Sequence, residues 1–212
     1  DEDLKLVKIP LNPALSVAKN AEKYFKDYKK TYSAEQTLTS LTISDREELK
    51  YFESVLESLS RCSSLSQLEE IKEELSLAGY IKAKATKKNK ESSPLELYTS
   101  LEGYQIAVGK NNIQNDKITC KIATKGDLWF HTKNIPGAHV VIFCAGKEVS
   151  DETILFAATL AAKNSKASAS SQVPVDYTPI KYVKKPSGAK PGMVIYTTNK
   201  TVFVNPMESE SK

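Results

Sequence analysis

Gly109-Lys110-Asn111-Asn112-Ile113-Gln114-Asn115-Asp116, then Asp127-Leu128-Trp129-Phe130-His131 and Pro136-Gly137-Ala138-His139-Val140, decide how this chain is organised. Glycine followed by two asparagines marks a strand-to-helix turn, and Asn111 to Ala123 suits a short helix. Leu128 to His131 alternates as a strand does, with Trp129 and His131 on one face and Phe130 on the other. The Pro136-Gly137 turn brings His139 to Phe143 back alongside as a second strand. This block also holds the only tryptophan and both histidines of the sequence.

Outward from that block the same period continues. Leu95 to Thr99 and Tyr104 to Val108 flank Ser100-Leu101-Glu102-Gly103 as a hairpin, and the alanine-rich run Asp151 to Ser165 suits a buried helix. Val175 to Val183, Met193 to Thr197 and Thr201 to Asn205 read as strands, with a basic loop, Lys184 to Gly192, before the last pair. Residues 95–206 are therefore expected to form an α+β domain.

Upstream the spacing changes to that of helices. Asn12-Pro13 reads as an N-cap and first turn, and Ala18, Ala21, Phe25, Tyr28 and Tyr32 form a seam. A polar stretch, 33–42, interrupts it. The capping box Ser44-Asp45-Arg46-Glu47 starts a second seam through Leu49, Phe52, Leu56 and Leu59. An antiparallel helical hairpin or coiled coil is the expectation for 1–79. A further capping box, Ser64-Leu65-Ser66-Gln67, opens a helix through Leu68, Ile71 and Leu75, closed by Gly79. Residues 80–94, rich in lysine and serine, read as a linker, and 207–212 as a frayed tail.

Composition narrows the function classes. With 212 residues, 23.4 kDa and 40% hydrophobic residues, the chain suffices for one cored domain and an accessory element. No apolar run approaches the roughly 20 residues of a membrane span. The start, Asp1-Glu2-Asp3-Leu4-Lys5, lacks the pattern of a secretory signal and reads as a fragment boundary. Cys62, Cys120 and Cys144 are odd in number and widely spaced, as reduced cytosolic thiols are. The formal charge of +4 divides into −4 for 1–79, +9 for 80–206 and −1 for the tail. All of the basic excess after residue 79 is lysine, which meets phosphates as a point charge and does not read base edges as an arginine fork does.

The histidines and cysteines show no metal-ligand spacing, so neither a metal nor another cofactor is expected. Nor does any elbow or oxyanion-loop signature accompany Cys120 or Cys144, so the chain is not expected to be an enzyme. The turn Gly109-Lys110-Asn111-Asn112 reads as a capped tight turn, a phosphate-holding helix start, or both. Trp129 and His131, with His139 beside them, read either as core or as a stacking platform for an unpaired base. Trp129 leans toward core and His131 toward surface. Lys181, Lys184, Lys185 and Lys190 are the candidate phosphate contacts.

The strings G-K-N-N-I-Q-N-D-K-I-T, D-L-W-F-H-T-K-N-I-P-G-A-H-V and V-K-K-P-S-G-A-K-P-G-M-V-I-Y, then T-V-F-V-N-P, closely resemble the NFACT-R domain of the NFACT family across 95–206. The string N-P-A-L-S-V-A-K-N-A-E-K-Y-F-K-D-Y-K-K is similar to the start of that family's coiled-coil middle region. Ala138 stands where a serine is common. The resemblance implies an NFACT-R fold with a mainly antiparallel sheet and a non-catalytic role in ribosome-associated quality control, with the large ribosomal subunit and tRNA as partners while stalled chains are tailed. The residues themselves, not the resemblance, put candidate RNA contacts at Lys110, Asn111, Asn112, Trp129, His131, His139 and the four loop lysines. The resemblance also implies a further N-terminal domain and helix-hairpin-helix region, and a cytoplasmic location. Streptococcal members are known as fibronectin/fibrinogen-binding proteins, which implies, as the alternative, an adhesin for host fibronectin or fibrinogen at the cell surface.

Overall fold

The computed structural model describes residues 7–82 and 93–207; most of the linker expected at 80–94 and nearly all of the tail expected at 207–212 lie outside them. The chain divides into two compact units at residues 48 and 49. That division falls inside one helix, not in the expected linker.

The first unit is built on the N-terminal part of α1, Val17–Ser60, a single helix of 44 residues. The expected hairpin break at 33–42 is absent. That stretch contains neither glycine nor proline, and its hydroxyls bond back onto the helix, Thr37 Oγ1 to the Ser33 carbonyl at 2.9 Å and Thr42 Oγ1 to that of Leu38 at 2.7 Å. Polar side chains so absorbed do not stop a helix, and the Ser44 to Glu47 pattern lies mid-helix. The start also differs from expectation. Asn12 Oδ1 accepts from Ala14 N at 2.9 Å and closes a turn, while Ser16 Oγ accepts from Lys19 N at 3.3 Å at the helix start. Phe25, Tyr28 and Tyr32 stay exposed and stack on one another at 6.5 and 6.0 Å.

In the second unit the end of α1 packs on α2, Leu65–Leu77, through Tyr51, Val55 and Ile71. The capping box opens α2 as expected, with Ser64 Oγ accepting from Gln67 N. At its end Gly79 has φ +83°, and the amides of Gly79 and Tyr80 bond to Ser76 and Leu75 carbonyls at 3.0 and 2.9 Å, a Schellman closure. The buried face, however, is Gln67, Ile71 and Glu74. Leu68 is left exposed.

A six-stranded sheet follows, in the order β1-β2-β4-β3-β5-β8 and antiparallel throughout. Its strands are β1 Glu96–Thr99, β2 Gln105–Val108, β3 Leu128–Thr132, β4 Val140–Ile142, β5 Val173–Pro179 and β8 Lys200–Val204. Helix α3, Asn112–Asp116, and a π-helical turn, Lys117–Ile122, connect β2 to β3, and α4, Asp151–Lys163, connects β4 to β5. A small hairpin of β6, Val183–Lys184, and β7, Ile195–Tyr196, lies between β5 and β8. The α+β expectation holds, and the long expected strand 175–183 is split by a 3-10 turn, Ile180–Tyr182.

Alternation divides the core in two. Ile106, Val108, Phe130, Val140, Ile142 and Val175 meet the alanines of α4, whose small side chains let the helix lie close to the sheet. Ala107, Trp129 and Val141 point to the other face, where Ile118, Ile180 and Val183 cover them. The end of α1 is tied to the end of α4 by Arg61 Nη1 to Asn164 Oδ1 at 3.4 Å and by Lys166 to Glu53 at 3.9 Å. Among the described residues no helix is long and apolar enough to cross a membrane.

Trp129 is 0% exposed, so its assignment is to the core. Trp129→Ala is expected to lower unfolding free energy by about 3 to 5 kcal/mol in urea melts, the usual cost of emptying a buried aromatic site.

Candidate nucleic-acid interface

Every polar residue from Asn111 to Asp116 is already engaged in holding another element. Asn111 caps α3, accepting from Gln114 N at 2.9 Å, and its Nδ2 donates to Glu70 Oε2 at 2.6 Å. Asn112 Nδ2 donates to Glu74 Oε1 at 3.0 Å and Ser54 Oγ at 2.9 Å. Gln114 Nε2 donates to Ser93 Oγ at 2.7 Å. Asn115 Oδ1 accepts from His139 N at 3.0 Å, and Asp116 Oδ1 accepts from Gly192 N at 2.9 Å. The turn is a junction between elements whose Asn111, Asn112, Gln114 and Asn115 are buried, and its Gln114 amide is taken up by the Asn111 cap. Two glycines let it close. A Cβ on Gly109 would lie 2.1 Å from Asn115 Oδ1, and one on Gly192, at φ +76°, 2.6 Å from Asn112 Oδ1.

The π-turn carries Thr119 onto β4, where its hydroxyl meets His139 Nδ1 at 2.8 Å. Trp129 stacks flat on His131, 10° between planes at 5.7 Å, and His139 stands edge-on to both, at 5.1 and 5.4 Å. Burial pushes the His131 imidazole down to about 4, against the opposing pull of the Thr132 backbone and Asp176. Burial, and then His131 itself, holds His139 well below its ordinary value. Both rings are neutral at physiological pH. Across the sheet Asp176, opposite His131, is buried and accepts from Tyr196 Oη at 2.9 Å and Thr201 Oγ1 at 2.6 Å.

The basic loop is anchored at both ends. Lys185 pairs with Asp116. Lys190 enters a cage of three rings, with Nζ 4.3 Å from the centroid of Tyr80, 4.6 Å from Tyr51 and 5.8 Å from Phe52. Ring faces attract an ammonium, and three of them hold the loop against the α1–α2 pair.

The ten expected contact residues therefore separate. Asn111, Asn112, Trp129 and His139 are buried, and as placed they position other groups and present no face to RNA. His131 is half-buried. Lys185 and Lys190 are engaged internally, and Lys110 lies 3.8 Å from Glu96. Lys181 and Lys184 remain on the surface. Sequence reasoning missed the partners Glu70, Glu74 and Asp116 and the ring cage. The one available signal was Glu74 falling in step with Gln67 and Ile71, a carboxylate on a packed face.

Comparison with known proteins places these residues in a family context. Residues 1–94 match the model for NFACT N-terminal and middle domains, and residues 95–197 that for the NFACT protein RNA binding domain. The chain is 44% identical over 210 residues to the Rqc2 homolog RqcH of Bacillus subtilis (strain 168), covering 97% of this chain and 36% of that protein. It is 44% identical over 209 residues to the RqcH of Streptococcus suis (strain 05ZYH33), covering 98% and 38%. Among solved structures, the C-terminal part of the fibronectin/fibrinogen-binding protein from Streptococcus suis matches with a TM-score of 0.83 and 44% identity, over 92% of this chain and 78% of that one. The chain thus spans little more than a third of the length of these curated relatives.

The histidine pair gives a pH prediction. With folded pKa values below that of the unfolded chain, near 6.5 for histidine, the unfolded state takes up protons first as pH falls. Stability is complete above about 6.5 and declines toward 4. His131→Asn should lose less melting temperature over that interval than the parent chain, measured by thermal melts at several pH values. The cage gives another. Lys190→Ala should speed hydrogen exchange at the Gly192 amide by at least about tenfold, the equivalent of 1.4 kcal/mol, whereas Lys190→Arg, which keeps a cation over the rings, should leave it near the parent rate.

Proposed function

Because the chain belongs to the NFACT family, we propose that it is the RNA-contacting, non-catalytic part of a ribosome-associated quality control factor. In this reading it binds tRNA and the large ribosomal subunit while tails are added to stalled nascent chains. The observation that carries the reading is the match of 95–197 to an RNA-binding domain, a stretch with a net charge of +4 inside the 80–206 region of +9. Its positive charge is lysine alone, which suits sequence-independent contact with phosphates. The chain then supplies binding, and tailing draws on the rest of a longer protein. A cytoplasmic location follows from that role.

A second reading, surface adhesion to host fibronectin or fibrinogen, is favoured by one observation, the description of the streptococcal structure this chain resembles. The two separate on direct titration of the chain with tRNA, purified large subunits and immobilised fibronectin. The ribosomal reading expects RNA affinity to fall at least about tenfold between 50 and 200 mM salt, since each neutralised phosphate releases counterions. Affinity that stays flat across that range, or saturable binding to fibronectin alone, overturns it.

A further inference from the structure

The geometry points to one face of the domain, carried by Lys121, Lys125, Lys181 and Lys184, as the surface that seats the sugar-phosphate backbone of RNA. This inference rests on the RNA-binding reading and gives it a location. Two segments distant in sequence form the face. The π-turn and the loop after it supply Lys121 and Lys125, and the 3-10 turn after β5 and strand β6 supply Lys181 and Lys184. The segments lie side by side. Lys181 N donates to the Lys125 carbonyl at 3.3 Å and Ile180 N to that of Asp127 at 2.9 Å, while Ile118 and Ala123 pack with Ile180 and Val183 beneath. All four lysines are exposed.

Their surroundings differ from those of several other lysines of the domain. Lys110, Lys133, Lys166 and Lys185 each lie within 4 Å of a carboxylate, of Glu96, Asp176, Glu53 and Asp116 respectively. None of the four does so among the described residues. The sequence explains why: no Asp or Glu stands between Asp116 and Asp127, and none between Asp176 and Met207. Two acid-free segments laid together concentrate positive charge at Lys125, Lys181 and Lys184, which a polyanion completes, with Lys121 at the edge nearest the acids of α2. On one side the face meets a groove of about 400 Å³ where Glu69, Glu70, Glu73 and Asp116 stand across from Lys117 and Lys121. That acidic wall repels a phosphate backbone and directs the strand away from α2. Tyr182, half-buried with Lys181 Nζ 5.0 Å over its ring, offers the face an aromatic edge. The Lys185–Asp116 pair and the Lys190 cage set the position of Lys184, so the internally held lysines serve the exposed ones.

The test compares the parent chain with a quadruple variant, K121Q/K125Q/K181Q/K184Q, binding a fluorescent tRNA across a salt series. K147Q/K163Q, which removes two exposed lysines from other segments, serves as control. Thermal melts verify that each variant is folded. The quadruple variant is expected to lose at least about tenfold in affinity at 100 mM salt, with its log–log salt slope shallower by about 3. The control should stay within about twofold, and the quadruple arginine variant should bind as the parent does. If the parent binds tRNA and the quadruple variant binds equally well, the face is wrong and the RNA reading stands. If the parent binds no RNA at all, the reading itself fails. Equal loss for tRNA and for dextran sulfate, with equal parent affinities, overturns RNA as the ligand and leaves a generic polyanion surface.

Discussion

Two carboxylates on one turn of α2 meet two adjacent asparagine amides, and the rest of the second unit is arranged around that contact. Glu70 and Glu74, four residues apart on one helical face, reach Asn111 and Asn112. Hydrogen bonds to charged groups are worth roughly 1.5 to 3 kcal/mol, and removing the donor strands a buried carboxylate at greater cost. The amide donors offset part of the cost of burying these acids without adding a second charge, while Glu74 Oε2 has no hydrogen-bond partner among the described residues. Burial still raises the Glu74 carboxyl above its ordinary range. From that contact α3 is fixed, and Asn115 and Asp116 pass the constraint to the β4 start and to the basic loop.

The strands could be read in advance because β2 and β4, buried on both faces, appear in the sequence as short apolar runs bounded by turn residues, Ile106-Ala107-Val108 and Val140-Val141-Ile142. The single helix α1 could not. Its polar middle and its Ser-x-x-Glu pattern are locally indistinguishable from a stop and a start, and only continuous helix on both sides overrides them. The site was the least legible part. Asn111, Asn112, Trp129 and His139 have the chemistry of a recognition surface, and the same chemistry serves a polar core. Which of the two applies depends on what covers them, and the covering residues Ser93, Gly192 and Tyr196 are distant in sequence. Lys121 and Lys125 escaped notice for the converse reason: their importance lies in having Lys181 and Lys184 as neighbours.

Neutrality of the two histidines fits the same division of labour. Desolvation of a charged imidazole beneath the sheet outweighs the pull of Asp176 opposite His131, so the ring stays neutral. The domain keeps positive charge on flexible lysines at the surface and inside the ring cage, while its rigid interior stays uncharged apart from paired acids.

That cage has a consequence for how the protein behaves in different solvents. Crowding Lys184, Lys185 and Lys190 into one short loop sets up mutual repulsion, and repulsion between exposed charges fades as ionic strength rises. Contact between an ammonium and three ring faces works at close range in a partly dried setting and is much less screened. Rising salt therefore relieves that repulsion and weakens the Lys185–Asp116 pair, while the ring contacts of Lys190 hold, even as it strips away any bound polyanion. Held at the Lys190 end by ring faces, a binding surface of this kind can let go of its ligand while that end of the loop keeps its place.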